Sequence, residues 1–215
     1  GRLCFFEGKP HEVVPSLLEK EAISAVFVNQ DYTPFSRMRD EQLAQVCRQK
    51  AVQFFSSHDY TLNPPDLVKK EDGGVYTIYT PYARKAMQTP VKHPLKNNYS
   101  NYYAGSISLE QKTCWNKLKG QLSHSLYPGG RQAALAILKG MVDFKNYSIE
   151  RNLPDLGATT KLSPHHKFGT CSIREVYHAV YKHFGPSHAL ISELYWRDFF
   201  TQIGFHYPRV LGEAS

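Results

Sequence analysis

No run of about eighteen apolar residues, the length a membrane-spanning helix needs, occurs in the 215-residue chain. The opening stretch GRLCFFEGKPHEVV has neither the long apolar core nor the cleavage site of a secretory leader. It begins with Gly1 rather than methionine, so the natural start is expected to be missing. Cysteine is sparse: Cys4, Cys47, Cys114 and Cys171 lie far apart, with no Cys-x-x-Cys pair. That spacing argues against a zinc site and against a dense disulfide framework, and reduced thiols in an intracellular protein are expected. Ten histidines are present, but only His165–His166 are adjacent, and no carboxylate or cysteine stands at ligand spacing to them. A metal site is therefore not expected, since one needs three or four convergent ligands.

What is present suits a folded protein with a sizeable core. The apolar fraction is 41% and the charged fraction 21%, both ordinary for a globular domain, and the length allows one large domain or two small ones. The formal net charge of +7 is unevenly spread. Residues 1–110 carry 13 Lys and Arg against 12 Asp and Glu, whereas residues 111–215 carry 13 against 7 and seven of the ten histidines. Any polyanionic partner is expected to meet the second half; a solvated basic surface without a partner fits the same numbers.

The pattern changes along the chain. RLCFFEG (2–8) predicts a strand, HEVVPSLLEKEA a helix, SAVFVNQ a second strand, SRMRDEQLAQVCRQKA a second helix and VQFFSSHD a third strand. Short apolar runs alternating with helical patterns indicate βαβ units and a parallel sheet. TLNPPDLVKKEDGG predicts a loop, and VYTIYTPY a short strand. Residues 88–110 have prolines, asparagines and tyrosines without periodicity, which predicts a surface linker with its tyrosines packed against a neighbour. Beyond it the periodicity is helical: a helix at 111–123, another from 129 through GGRQAALAILKGMVDF, and a third over SIREVYHAVYKHFG. In the third, Ser172 and Glu175 form a Ser-x-x-Glu capping box and Gly185 supplies the stop. A last helix starts near Pro186–Ser187 and continues through HALISELYWRDFFTQI. The expected architecture is α/β followed by all-α. Its parts are an α/β portion at 1–87, a linker at 88–110 and a helical portion at 111–215.

Three sets of residues could carry chemistry. In TTKLSPHHKFG, Ser163–Pro164 is a suitable helix start. The free N–H groups of a helix start, with the hydroxyls of Thr159 and Thr160, suit an anion. A capped loop and a phosphate-binding turn both fit these residues. On the last helix, Glu193, Trp196 and Arg197 share one face at spacings of three and four. They could bind a planar base, the carboxylate accepting an N–H and the indole stacking, or form an intrahelical ion pair beside a core tryptophan. Tyr147 and Arg151, four apart, fit either packing beside a solvated cation or a phosphate contact.

Taken in order, five stretches resemble the photolyase/cryptochrome flavoproteins over essentially the whole chain: AVFVNQDYTPFSRMRD, VYTIYTPYARKAM, YPGGRQAALAIL, YSIERNLPDLGATTKLSPHHKFGTCSIREVY and SELYWRDFFTQI. The resemblance implies a partial Rossmann-like antenna domain joined to the first helices of a helical FAD-binding domain. It implies that Thr159, Thr160, Lys161, Leu162 and Ser163 hold the diphosphate of FAD, and that Tyr147 packs on the flavin. Arg151 and Arg197 would face DNA, and Glu193 and Trp196 would hydrogen-bond and stack on a flipped pyrimidine dimer. A second antenna chromophore of folate or deazaflavin type is compatible with it. The chain departs from the family pattern at Asp198, where glutamate is usual, and at Arg131, where an acid is usual. It also has His165–His166 where aromatic or apolar residues are common. The first two departures are expected to weaken local packing or polar contacts.

The same resemblance implies that a strand–helix–strand unit is missing before residue 1 and about two hundred residues after 215, so the chain is expected to be an excerpt of a longer protein. In the family's sheet order the strands at 2–7 and 24–30 would not be neighbours without the missing strand. The implied activity is light-driven, FAD-dependent repair of pyrimidine dimers in DNA by a deoxyribodipyrimidine photo-lyase, a monomer when full length. A cryptochrome-type blue-light signalling protein and an inactive flavin-free piece are the alternatives.

Overall fold

A computed structural model describes residues 3–120 and 127–212. The chain forms two compact units, neither continuous in sequence. One comprises Gly1–Asp31, Phe35–Ser57 and Leu95–Leu126; the other comprises Tyr32–Pro34, His58–Pro94 and Tyr127–Ser215.

The first unit is built around a parallel two-stranded sheet. Strand β1 (Ala25–Asn29) pairs with β2 (Gln53–Ser57) in the register Ala25↔Gln53 to Asn29↔Ser57. Helix α1 (Pro10–Lys20) precedes β1, and α2 (Pro34–Gln49) makes the crossover that a parallel pair requires. Leu43 and Cys47, one turn apart on α2, are buried, and this apolar stripe fixes the helix face turned to the interior. Phe27 and Phe55 stand opposite each other in the ladder and stack at 4.8 Å between centroids, yet both remain exposed. Helix α4 (Lys112–Gly120) belongs to the same unit. The helix expected over 111–123 is thus found over 112–120, and its last three positions lie outside the described residues.

The strand expected at 2–7 is not formed among residues 3–7. The Phe5 carbonyl accepts the Gln111 N–H at 2.8 Å, and the Phe5 ring stacks on Trp115 at 5.4 Å. Its backbone group is therefore satisfied by a loop rather than a ladder. The linker tyrosines are also placed differently from expectation. Tyr99, Tyr102 and Tyr103 are exposed; Tyr102 accepts a hydrogen bond from Asn97, and Tyr103 donates one to the Ser106 carbonyl. They bond locally instead of packing on a neighbour.

The second unit is helical. VYTIYTPY, expected as a strand, forms only the bridge between Lys69 and Val75 before turning into helix α3 (Tyr79–Ala86). The reason lies in the spacing. Tyr79, Tyr82, Ala83 and Ala86 recur at helical intervals and face the core, and Pro81 sits in the first turn, where its absent N–H costs nothing. Helix α5 (Arg131–Lys139) ends at Gly140, so the segment expected as one helix through Phe144 divides into α5 and a 3-10 turn at Met141–Phe144. Short helices α6 (Tyr147–Glu150) and α7 (Ser163–Lys167) follow.

Helix α8 (Ile173–Phe184) follows its signals closely. Ser172 and Glu175 close the capping box in both directions, and Gly185 ends the helix at φ +79°, a conformation that glycine adopts without strain. Ile173, Val176 and Val180 give α8 its buried stripe. Helix α9 (Ala189–His206) is the centre of the unit, burying Leu190, Ile191, Leu194, Tyr195, Phe199 and Gln202 against α3, α8 and the preceding turns. A helix apolar over so much of its circumference must be enclosed by neighbours. No described helix is long and apolar enough to cross a membrane.

Candidate functional site

The site is assembled at the start of α7. Gly157 takes the left-handed conformation at φ +58°, and Lys161 does so too at φ +57°. A lysine there is uncommon, and such residues concentrate where a turn is held for a purpose. The bend lets the Thr160 hydroxyl oxygen accept the Leu162 N–H at 3.4 Å. Its own proton is then free to donate outward. Ser163, expected as the helix cap, is instead the first helical residue; Leu162 occupies the cap position and no side chain caps the helix. The serine hydroxyl is therefore not consumed by capping.

These residues open onto a cleft of about 300 Å³ within the second unit. Its walls take Tyr147 from α6, Thr160, Leu162 and Ser163 from the turn, and Glu193 and Arg197 from α9. Met141, Val176, Val180, Leu190 and Leu194 supply the apolar lining, and His166 completes it. Six of the ten residues singled out from the sequence thus converge on one cavity. Thr159, Lys161, Arg151 and Trp196 do not line it; the Lys161 ammonium lies 5.7 Å from the Tyr127 ring centre.

Glu193 is ion-paired, though not within its own helix: its partner is Arg151, whose guanidinium also lies 5.8 Å from the Tyr147 ring centre. The face shared by Glu193 and Arg197 therefore holds no intrahelical pair. Arg197 points elsewhere, donating to the Tyr60 carbonyl and resting 4.0 Å over the Tyr60 ring. Trp196 is half-buried in an aromatic stack. Tyr79 covers it at 3.6 Å and 8° from parallel, and the exposed Phe200 lies at 5.5 Å.

Two ionisable groups in this region are strongly perturbed. Burial, with smaller contributions from Arg197 and His165, pushes the His166 imidazole down to about 4; the ring is neutral at physiological pH. Its Nε2 is shielded from solvent and has no hydrogen-bond partner. Burial pushes the Asp198 carboxyl up to about 7 against the opposing pull of the Asn63 and Leu62 N–H groups and of Arg197 and Arg174. Asp198 accepts those two N–H groups at 2.9 and 3.1 Å, tying the 58–63 loop to α9. Neither departure expected to loosen the fold does so. Asp198 makes this two-pronged clamp, and Arg131 forms a bidentate pair with Glu175 at 2.6 and 2.8 Å.

The second residue of the paired histidines was visible in the sequence only as a departure, and its orphaned nitrogen depends on packing. Asp59 and Tyr60 gave no sequence signal, because each acts through a partner more than a hundred residues away; the role of Tyr79, inside VYTIYTPYARKAM, likewise depends on a partner 113 residues away. Among the described residues no group of three His, Cys, Asp or Glu side chains is arranged to hold a metal ion.

Residues 1–98 match the family model described as DNA photolyase. A deoxyribodipyrimidine photo-lyase of Alkalihalophilus pseudofirmus is 28% identical over 97% of this chain and 46% of its own length. The chain is similar to photolyases and cryptochromes. An archaeal photolyase from Sulfolobus tokodaii, solved with two FAD molecules, superposes with a TM-score of 0.79 at 30% identity, covering 99% of this chain and 45% of the other. Cryptochrome-1 of Rattus norvegicus is 26% identical over 97% of this chain and 40% of its own length. The chain spans about half the length of these photolyase relatives, and the order of an α/β part before a helical part agrees with theirs.

Proposed function

We propose that this chain carries one wall of a flavin site and part of a damaged-DNA face, in a protein that repairs pyrimidine dimers with light. On this reading residues 1–87 belong to an antenna domain and 111–215 to an FAD-binding domain joined by the 88–110 segment. The observation that carries the proposal is the convergence of Thr160, Ser163, Tyr147 and Glu193, from three separate segments, on one cleft.

The cleft's chemistry fits a dinucleotide. Two hydroxyls with protons to donate, Thr160 and Ser163, suit phosphate oxygens, while the aliphatic lining suits the apolar ring of a flavin and excludes water. A volume near 300 Å³ lies at the lower end of ligand pockets, room for part of FAD. The orphaned His166 Nε2 adds a polar group that the protein itself leaves unpaired. Thr159, Lys161 and Leu162, the remaining residues of the turn, would complete the cradle of the diphosphate. Reduced flavin, where bound, would supply the redox chemistry of light-driven dimer repair, while the residues of this chain would hold and orient it and exclude water. Glu193 would accept an N–H of the flipped base, Trp196 would stack against it, and Arg151 would meet a phosphate on the basic half, whereas Arg197, expected to do the same, is held on Tyr60.

A second reading, light signalling on the same scaffold, is favoured by one observation: Glu193 is already paired with Arg151, and Trp196 is already covered on one face by Tyr79. The test is to load the purified protein with FAD and illuminate an oligonucleotide containing a pyrimidine dimer with blue light. Repair supports the first reading; bound flavin without repair supports signalling; absence of bound flavin overturns both.

A further inference from the structure

His166 lies on α7, immediately after the hydroxyl-bearing turn, and lines the same cleft as Thr160, Ser163 and Glu193. Its Nε2 is buried and unbonded. A buried polar nitrogen without a partner costs about as much as a lost hydrogen bond, and native proteins rarely leave one so. The neighbouring histidine shows the ordinary solution: His165 is buried, and its Nδ1 meets the Thr170 hydroxyl at 2.7 Å. An apolar side chain at 166 would leave no buried polar atom unpaired, so packing alone does not call for an imidazole. The surrounding polar groups narrow what could satisfy it. Thr160 uses its oxygen as acceptor within the turn, and Arg197 is spent on Tyr60. What the cleft leaves open is a set of donors, the two hydroxyls and the imidazole N–H.

Resting on the flavin reading above, we propose that His166 is a ligand contact, donating its Nε2–H to an oxygen of the bound dinucleotide. Being neutral, it contributes direction rather than charge. It therefore acts alongside the hydroxyls of the turn as a third donor.

The experiment is a titration of the full chain with FAD, followed by quenching of flavin fluorescence, for wild type, His166→Leu and His166→Gln, with the Tm of each measured without ligand. Leucine removes the donor; glutamine keeps an N–H close to the position of Nε2. We expect His166→Leu to weaken FAD about tenfold, the size of one buried hydrogen bond, with its Tm equal to or above that of wild type. His166→Gln should recover most of the affinity. A merely structural role would instead lower the Tm of His166→Leu and leave its FAD affinity intact, which overturns the proposal. Glutamine binding as weakly as leucine overturns it as well, because then the lost group is not the donor. Failure of the folded wild type to bind FAD is a different result: it removes the flavin reading itself, and this contact with it.

Discussion

The rings of Tyr79 and Trp196 lie 3.6 Å apart and 8° from parallel, and the Tyr79 hydroxyl donates to the Ser192 carbonyl one turn before the tryptophan. Tyr79 thereby fixes the indole plane, with the exposed Phe200 also stacked on it at 5.5 Å, and the proposed reading gives the indole a further partner. If that partner is a damaged base, Trp196→Ala should weaken binding to dimer-containing DNA by about 1–3 kcal/mol and leave undamaged DNA nearly unchanged. Parallel binding assays on the two DNAs give the answer. Equal losses would assign Trp196 to packing only.

Asp198 is the buried acid that holds the 58–63 loop, with both oxygens occupied by backbone N–H groups. Asp198→Asn replaces one acceptor with a donor and sets N–H against N–H. A loss of roughly 2–3 kcal/mol in urea unfolding is expected, the cost of a broken charged hydrogen bond with a buried group left unpaired. A change within about 0.5 kcal/mol, the range of surface substitutions, would show that the clamp is not made.

His166 makes stability sensitive to acid. Its imidazole, facing Arg197 and His165, titrates near 4 in the folded protein, whereas an unfolded chain takes the proton near the ordinary 6.5. Between these values the unfolded state binds more protons, so stability falls as the pH falls from 6.5 towards 4, by up to roughly 3 kcal/mol. His166→Leu should remove this component. Urea unfolding at pH 7.5 and 4.5 for both proteins isolates it, and identical pH dependence would contradict the burial of the ring.

Arg151 and Glu193 form a half-exposed pair, so Arg151→Ala should change stability by less than about 1 kcal/mol. Its consequence should appear in DNA binding. A lost phosphate contact lowers the slope of log K against log salt by about 1. An unchanged slope would restrict Arg151 to its pairing with Glu193.

Local signals were legible in the sequence wherever they are local in physics. The capping box at Ser172 and Glu175, the Gly185 stop and the short apolar runs of β1 and β2 depend on neighbours a few residues away, and each element formed where its pattern placed it. Residues 75–82 misled because their tyrosines and threonines favour strands, while burial against α9 rewards the helical spacing of Tyr79, Tyr82 and Ala86. Residues 3–7 misled in the other direction: an apolar run without a strand partner bonds to a loop. For the cleft, Thr160, Ser163, Tyr147 and Glu193 were nameable from motif order, but not the turning of Arg197 towards Tyr60 or of Arg151 towards Glu193. Those contacts span 137 and 42 residues and are settled by tertiary packing.

The central claim is that the hydroxyl-bearing turn at 159–163 holds a dinucleotide's phosphates. Equilibrium binding of FAD to the wild-type chain and to a Thr160→Val, Ser163→Ala double variant tests it most directly. The account predicts that wild type binds, and that the variant, folded with an unchanged helical spectrum, loses about 2–3 kcal/mol from two hydrogen bonds to charged oxygen. Equal affinity of the two proteins would contradict it.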